Sequence, residues 1–112
     1  MYTAIRSGEL PPSANGTVTF IGEKHGSPIS CFLVNTPPGT GPNLHRHPYV
    51  ETWFVQSGLA RITIDNEELE AGPGDILVVS PNTPHKFKNI GTERLNIICV
   101  HASPQFIQED LE

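Results

Sequence analysis

A chain of 112 residues with 37% hydrophobic content suffices for one core, and the whole span 1–112 reads as a single domain. A net charge of −5 supplies no basic face, which argues against nucleic acid or an anionic membrane as a partner. No run approaches the roughly 20 apolar residues of a membrane span. The start Met1-Tyr2-Thr3-Ala4-Ile5-Arg6 lacks the apolar centre of a secretion signal, so a cytoplasmic location is expected.

Glycine and proline, 10 and 11 in number, punctuate short apolar runs rich in β-branched and aromatic residues. Thr3 to Arg6, ahead of the Leu10-Pro11-Pro12 break, is suited to adding a strand to a neighbouring subunit. Strands are then expected at Thr17–Ile21 and Ile29–Val34, separated by a turn in which His25 faces solvent. Further runs follow at Thr52–Val55, Ala60–Ile64, Ile76–Val79, His85–Lys88 and Leu95–His101. Only Gln105 to Glu112 reads as a short terminal helix, with its acidic end solvated. Eight to ten short strands without an internal helix predict an all-β closed barrel or sandwich. Cys31 and Cys99 fall inside apolar runs and outside any Cys-x-x-Cys pair, so they read as buried free thiols.

His45, His47, Glu51 and His85 carry the chemistry. Alternate residues of a strand share a face, so His45 and His47 point one way and Arg46 the other. Pro48 forces a turn, and on the strand that follows Glu51, Trp53 and Val55 share the face a barrel would bury. A buried carboxylate beside imidazoles needs a compensating charge, since desolvating it alone costs several kcal/mol. A divalent cation supplies that charge, and the donor set suits iron, manganese, nickel, copper or zinc better than calcium or magnesium.

The segment from Gly39 to Gly58, with His45, His47 and Glu51 between, resembles the first motif of the cupin superfamily, G(X)5HXH(X)3-4E(X)6G. A second segment, 74–89, is similar to the motif G(X)5PXG(X)2H(X)3N at Gly74, His85 and Asn89. It departs at Ser80, where proline is usual, and at Asn82, where glycine is usual; both departures concern the turn rather than the ligand. Fifteen residues separate the two motifs, as in small single-domain cupins. The resemblance implies a double-stranded β-helix, or jelly-roll barrel, holding one divalent transition metal on His45, His47, Glu51 and His85. About two of six coordination positions would stay open for water, dioxygen or a chelating substrate. Small cupins are commonly dimers, so a symmetric homodimer is expected.

Other residues carry weaker signals. His101 is in phase with Leu95, Ile97 and Cys99; it reads first as a hydrogen-bonded strand-end histidine and second as a support for the ligands or a proton shuttle. Trp53 and Phe87 are in phase with Glu51 and His85, as core or as pocket wall. Tyr49 reads as rim, Arg46 and Arg61 as surface, and Asp75 as a turn former. Cupin folds serve enzymes, storage proteins and sensors alike. The leading reading is a metal-dependent dioxygenase acting on a compact organic substrate, with Glu51 as a base. A non-catalytic small-molecule sensor stands second and an isomerase third, weakened because no Arg/Lys cluster adjoins the ligands.

Overall fold

The computed structural model describes residues 1–112, which form ten strands in two five-stranded antiparallel sheets. The strands are β1 (Val18–Phe20), β2 (Ser30–Thr36), β3 (His45–Arg46), β4 (Glu51–Ser57) and β5 (Ala60–Ile64). Then follow β6 (Glu67–Ala71), β7 (Ile76–Val79), β8 (His85–Asn89), β9 (Leu95–His101) and β10 (Glu109–Asp110). One sheet runs β1-β2-β9-β4-β7 and the other β10-β3-β8-β5-β6, so apart from the β1–β2 and β5–β6 pairs the chain crosses from one sheet to the other at each step, as in a jelly roll. No helix is long and apolar enough to cross a membrane.

Alternation along the strands builds the interior. On β9, Leu95, Ile97, Cys99 and His101 are buried while their neighbours are only partly so; on β4 the buried set is Glu51, Trp53 and Val55. Trp53, Val55, Ile62, Leu95 and Ile97 are at most 1% exposed. Each such aliphatic side chain contributes about 1.5–3 kcal/mol by leaving water. The interior changes character along its length. Because Glu51 pairs with His101 and His45 with His85, the charged and imidazole groups gather in one layer at one end of the aliphatic core.

The runs at 60–64, 76–79 and 95–101 are strands with the expected bounds. β6 was not anticipated: Glu67 to Glu70 are all exposed, so no buried face marks the strand in the sequence. The helix expected over Gln105 to Glu112 is absent, and Glu109–Asp110 instead pairs with β3. Long-range contacts override local propensity there. Glu109 bridges Arg46 at 2.9 Å, the Leu111 N–H donates to the Leu44 carbonyl, and Glu112 meets Lys86 at 3.0 Å. The acidic end is therefore exposed but pinned. Thr3 to Arg6 form no strand within the chain, and His25 is half-buried, stacked on Phe20 after a single 3-10 turn.

Two motif positions explain themselves in backbone terms. Gly58 has φ +90°, and a Cβ there would stand 2.7 Å from the Arg94 carbonyl oxygen. Asn82, where the motif usually has glycine, has φ 61°; asparagine is among the few residues that tolerate this conformation. Its N–H donates to the His47 carbonyl at 2.7 Å, so the altered turn still braces the ligand loop.

Candidate metal centre

Both sheets contribute to the site. His45 and His85 lie on β3 and β8 of one sheet, Glu51 on β4 of the other, and His47 on the turn between β3 and β4. All four side chains are buried, and one ligand atom from each lies within 4.8 Å of the others. The four residues singled out in the sequence are brought together.

Their ring orientations are set by the backbone. The Nδ1–H of His45 donates to the Asn43 carbonyl at 2.6 Å, that of His47 to Ile107 at 2.7 Å, and that of His85 to Thr83 at 2.8 Å. A ring nitrogen must carry hydrogen to donate to a carbonyl, so in each neutral ring Nε2 is left as a lone pair. His47 Nε2 stands 3.2 Å from Glu51 Oε1 and His85 Nε2 stands 3.1 Å from the same oxygen. Yet none of these three atoms has a hydrogen-bond partner. Short distance without a bond is what acceptors facing acceptors produce. A buried polar atom left so costs about 1–3 kcal/mol. A cation among the four atoms would satisfy all of them at once, and the donor set fits one divalent transition metal.

Electrostatics point the same way. Burial raises the Glu51 carboxyl, but the surrounding imidazoles, that of His101 foremost, outweigh it and keep Glu51 ionised, well below the usual carboxylate range. Burial lowers the pKa of His45, more than its bond to the Asn43 carbonyl raises it, so that ring favours the neutral form a metal needs. Burial also pushes the Tyr49 phenol up, keeping its proton on oxygen, and drives the Cys99 thiol well above its ordinary value. Both cysteines are free, but only Cys99 is buried as expected; Cys31 falls on the outward-facing side of β2 and is partly exposed.

The cluster opens into a cavity of about 330 Å³ walled by Phe32, Val34, Trp53, Phe87 and Phe106. Trp53, Phe87 and His101 all line it; Trp53 and Phe87 belong to the core as well. Glu51 is the only acidic or basic side chain other than histidine in the wall. Arg61 is exposed and Arg46 is tied to Glu109, while Asp75 closes a turn by accepting from the Gly72 N–H at 2.8 Å. Phe106 and the Ile107 backbone carried no signal in the sequence. They reach the site only because the C-terminal arm folds back across it, placing the Phe106 ring 5.9 Å from those of His47 and His101.

Comparison with known proteins agrees with this geometry. The cupin domain family matches residues 32–101, and the chain belongs to that family. It is similar to an uncharacterized protein, MJ1618, of Methanocaldococcus jannaschii, 38% identical over 77 residues, which are 68% of this chain and 61% of that one. In structure it is similar to the oxalate decarboxylase of Lactobacillus farciminis, solved as a formate complex: TM-score 0.81, 25% identity, 92% of this chain and 34% of that one. The Bacillus subtilis oxalate decarboxylase, described for its Mn(II) centres, superposes with TM-score 0.79 at 23% identity over 91% of this chain and 29% of that one. The chain thus spans less than two thirds of the length of each of these relatives.

If a cation completes the cluster, it must stabilise the folded chain. At free metal a thousandfold above Kd the gain is about 4 kcal/mol. Protons compete for the same groups, so the gain should shrink as pH falls through the ordinary histidine value of about 6.5. His45 acts in the same sense. Its folded pKa lies below the unfolded one, so its contribution is complete above that value and lost below it. Thermal melts of metal-loaded and chelator-stripped protein at neutral and mildly acidic pH check this. Equal melting temperatures at neutral pH would show that the histidines hold nothing.

Proposed function

We propose that this cupin is a small metal-dependent enzyme, of oxygenase type, acting on a compact organic substrate, with His45, His47, Glu51 and His85 holding one divalent ion. The observation that carries the reading is the convergence of four unsatisfied or lone-pair ligand atoms, three of whose residues, His45, His47 and Glu51, stand in the wall of an aromatic-lined cavity. A bound ion would supply Lewis-acid or redox chemistry there. The chain's own residues do the rest. Phe32, Phe87 and Phe106 exclude water and grip an apolar body, while Thr36, Thr40 and Gln108 offer neutral polar contacts. We assign Glu51 the role of ligand rather than base, because its Oε1 stands 3.2 and 3.1 Å from the Nε2 atoms of His47 and His85, at the point where the ligand atoms converge.

A second reading, decarboxylation of a small dicarboxylate, draws on the names of the structural relatives. The cavity favours the first, since no lysine or arginine stands in its wall to balance a second negative charge. Metal-loaded protein is expected to consume oxygen with at least one member of a catechol, flavonol and diketone panel in an oxygen electrode, and to leave oxalate unchanged. Tight binding of panel members without turnover would instead identify a sensing or carrier module, and carbon dioxide release from oxalate would identify a decarboxylase.

We also propose that the chain works as a symmetric homodimer. The outer face of the β1-β2-β9-β4-β7 sheet carries a row in register, Leu33, Ile98, Phe54 and Ile76, flanked by Cys31, Val100 and Val78. Leu33, Ile76 and Val78 are 45%, 61% and 66% exposed, an apolar surface suited to self-association. Thr3 to Arg6 form no strand, and Ile5 and Arg6 lie beside Val18, Phe20 and Leu33 on the same outer face, placed to extend the contact. Light scattering should give a dimer for the wild type and a monomer for Ile76→Lys/Val78→Lys with unchanged metal content. A wild type that is monomeric at micromolar concentration refutes the proposal.

A further inference from the structure

His101 is the fourth imidazole around Glu51. Its Nε2 lies 3.2 Å from Glu51 Oε2, as near as His47 and His85 come to Oε1, and its side chain is equally buried. Distance alone gives no reason to set it apart from the three ligand histidines. The hydrogen bonds do.

His101 Nδ1 faces no carbonyl. It lies 2.6 Å from the Tyr49 hydroxyl. That hydroxyl oxygen already accepts the Ile107 N–H at 3.4 Å. Its own proton has one acceptor within reach, His101 Nδ1. A neutral His101 that receives this proton bond at Nδ1 must carry its hydrogen on Nε2. The alternative tautomer would set a bare Nε2 against Glu51 Oε2 and leave the Tyr49 proton without a partner. His47 and His85 therefore turn a lone pair toward Glu51, His45 turns one toward the same cluster, and the fourth ring, His101, turns an N–H toward Glu51.

Resting on the metal reading above, we propose that His101 and Tyr49 are positioning residues for the metal centre. His101 holds Glu51 Oε2 with its Nε2–H, which leaves Oε1 as the single carboxylate oxygen shared with the ligand imidazoles. The string runs in one direction: the Ile107 N–H donates to the Tyr49 oxygen, the Tyr49 O–H to His101 Nδ1, and the Nε2–H that this leaves on His101 is directed at Glu51 Oε2, 3.2 Å away. The ring of His101 has little freedom to leave it. It stacks on Phe32 with centroids 5.0 Å apart, and β9 pairs it with Glu51 on one side and Ser30 on the other. Tyr49 is fixed in turn by stacking on the ligand His47 at 5.2 Å and an interplanar angle of 9°. Ile107 closes the circuit, since its carbonyl accepts from His47 and its N–H donates to Tyr49. One residue of the C-terminal arm thus sets both a ligand ring and the string behind the carboxylate.

The test uses zinc, which is diamagnetic, as the probe. Long-range nitrogen–proton NMR of Zn(II)-loaded, ¹⁵N-labelled protein should show His45, His47 and His85 protonated at Nδ1 and His101 protonated at Nε2. Chelator competition should show His101→Phe binding Zn(II) about 10–100-fold more weakly, the usual cost of removing a group that orients a ligand. His101→Gln keeps an N–H donor and should recover most of that loss, and Tyr49→Phe should weaken binding in the same direction but less. Protonation of His101 at Nδ1 in the wild type overturns the proposal, as does wild-type affinity in His101→Phe. If that variant does not fold, the NMR tautomer and Tyr49→Phe decide, and wild-type affinity in the latter counts against the proposal. A wild type that takes up no Zn(II) overturns the metal reading itself, a separate and distinguishable failure.

Discussion

Lone pairs repel one another, and a dry interior removes the water that would separate them. In this cupin His47 Nε2, His85 Nε2 and Glu51 Oε1 meet inside a β-sandwich with no hydrogen-bond partner among them. The arrangement persists because each ring is held from behind by a backbone carbonyl: Asn43, Ile107 and Thr83. Those three bonds prevent the rings from turning Nδ1 inward to relieve the crowding. The fold therefore maintains a site of negative potential that only a cation or a proton can satisfy, and it does so before any ion arrives.

The jelly roll makes this affordable by separating roles along its length. Trp53, Val55, Ile62, Leu95 and Ile97 form an aliphatic and aromatic block that meets the ligands where Trp53 packs edge-on against His85. The polar layer sits beyond it, where Glu51 and His101 face each other across β4 and β9 and His45 faces His85 across β3 and β8. Neither sheet holds a complete site, so the ligand set exists only when the two sheets pack. The C-terminal arm adds a third support. It is exposed over most of its length, yet it is tied down by Glu109 to Arg46 and by Glu112 to Leu44 and Lys86.

How much of this was legible in the sequence depends on whether a signal was local. The ligands were legible because a two-residue alternation puts His45 and His47 on one face, and motif spacing carries the reader to Glu51 and His85. Strands with one buried face, such as Leu95–His101, announced themselves through the same alternation. β6 did not, because Glu67, Glu68, Leu69 and Glu70 are all exposed and no periodicity distinguishes them from a loop. The terminal segment Gln105–Glu112 looks helical in isolation and is extended in the fold, because its partners lie some 60 residues away, on and beside β3. The division of labour among the four imidazoles was invisible for a similar reason. His101 and the ligand histidines differ in what stands behind the ring, Tyr49 in one case and a carbonyl in the others, and no spacing encodes that.

The point on which the four ligand atoms converge is expected to hold a single metal ion. Anomalous diffraction from crystals of protein purified without chelator, collected on both sides of the absorption edge of the metal found by fluorescence, addresses it directly. The account predicts one anomalous peak per chain, bonded to the Nε2 atoms of His45, His47 and His85 and to Glu51 Oε1, with His101 outside the coordination sphere. A protein grown with ample transition metal that shows no peak there, or a peak liganded by His101 in place of Glu51, would contradict it.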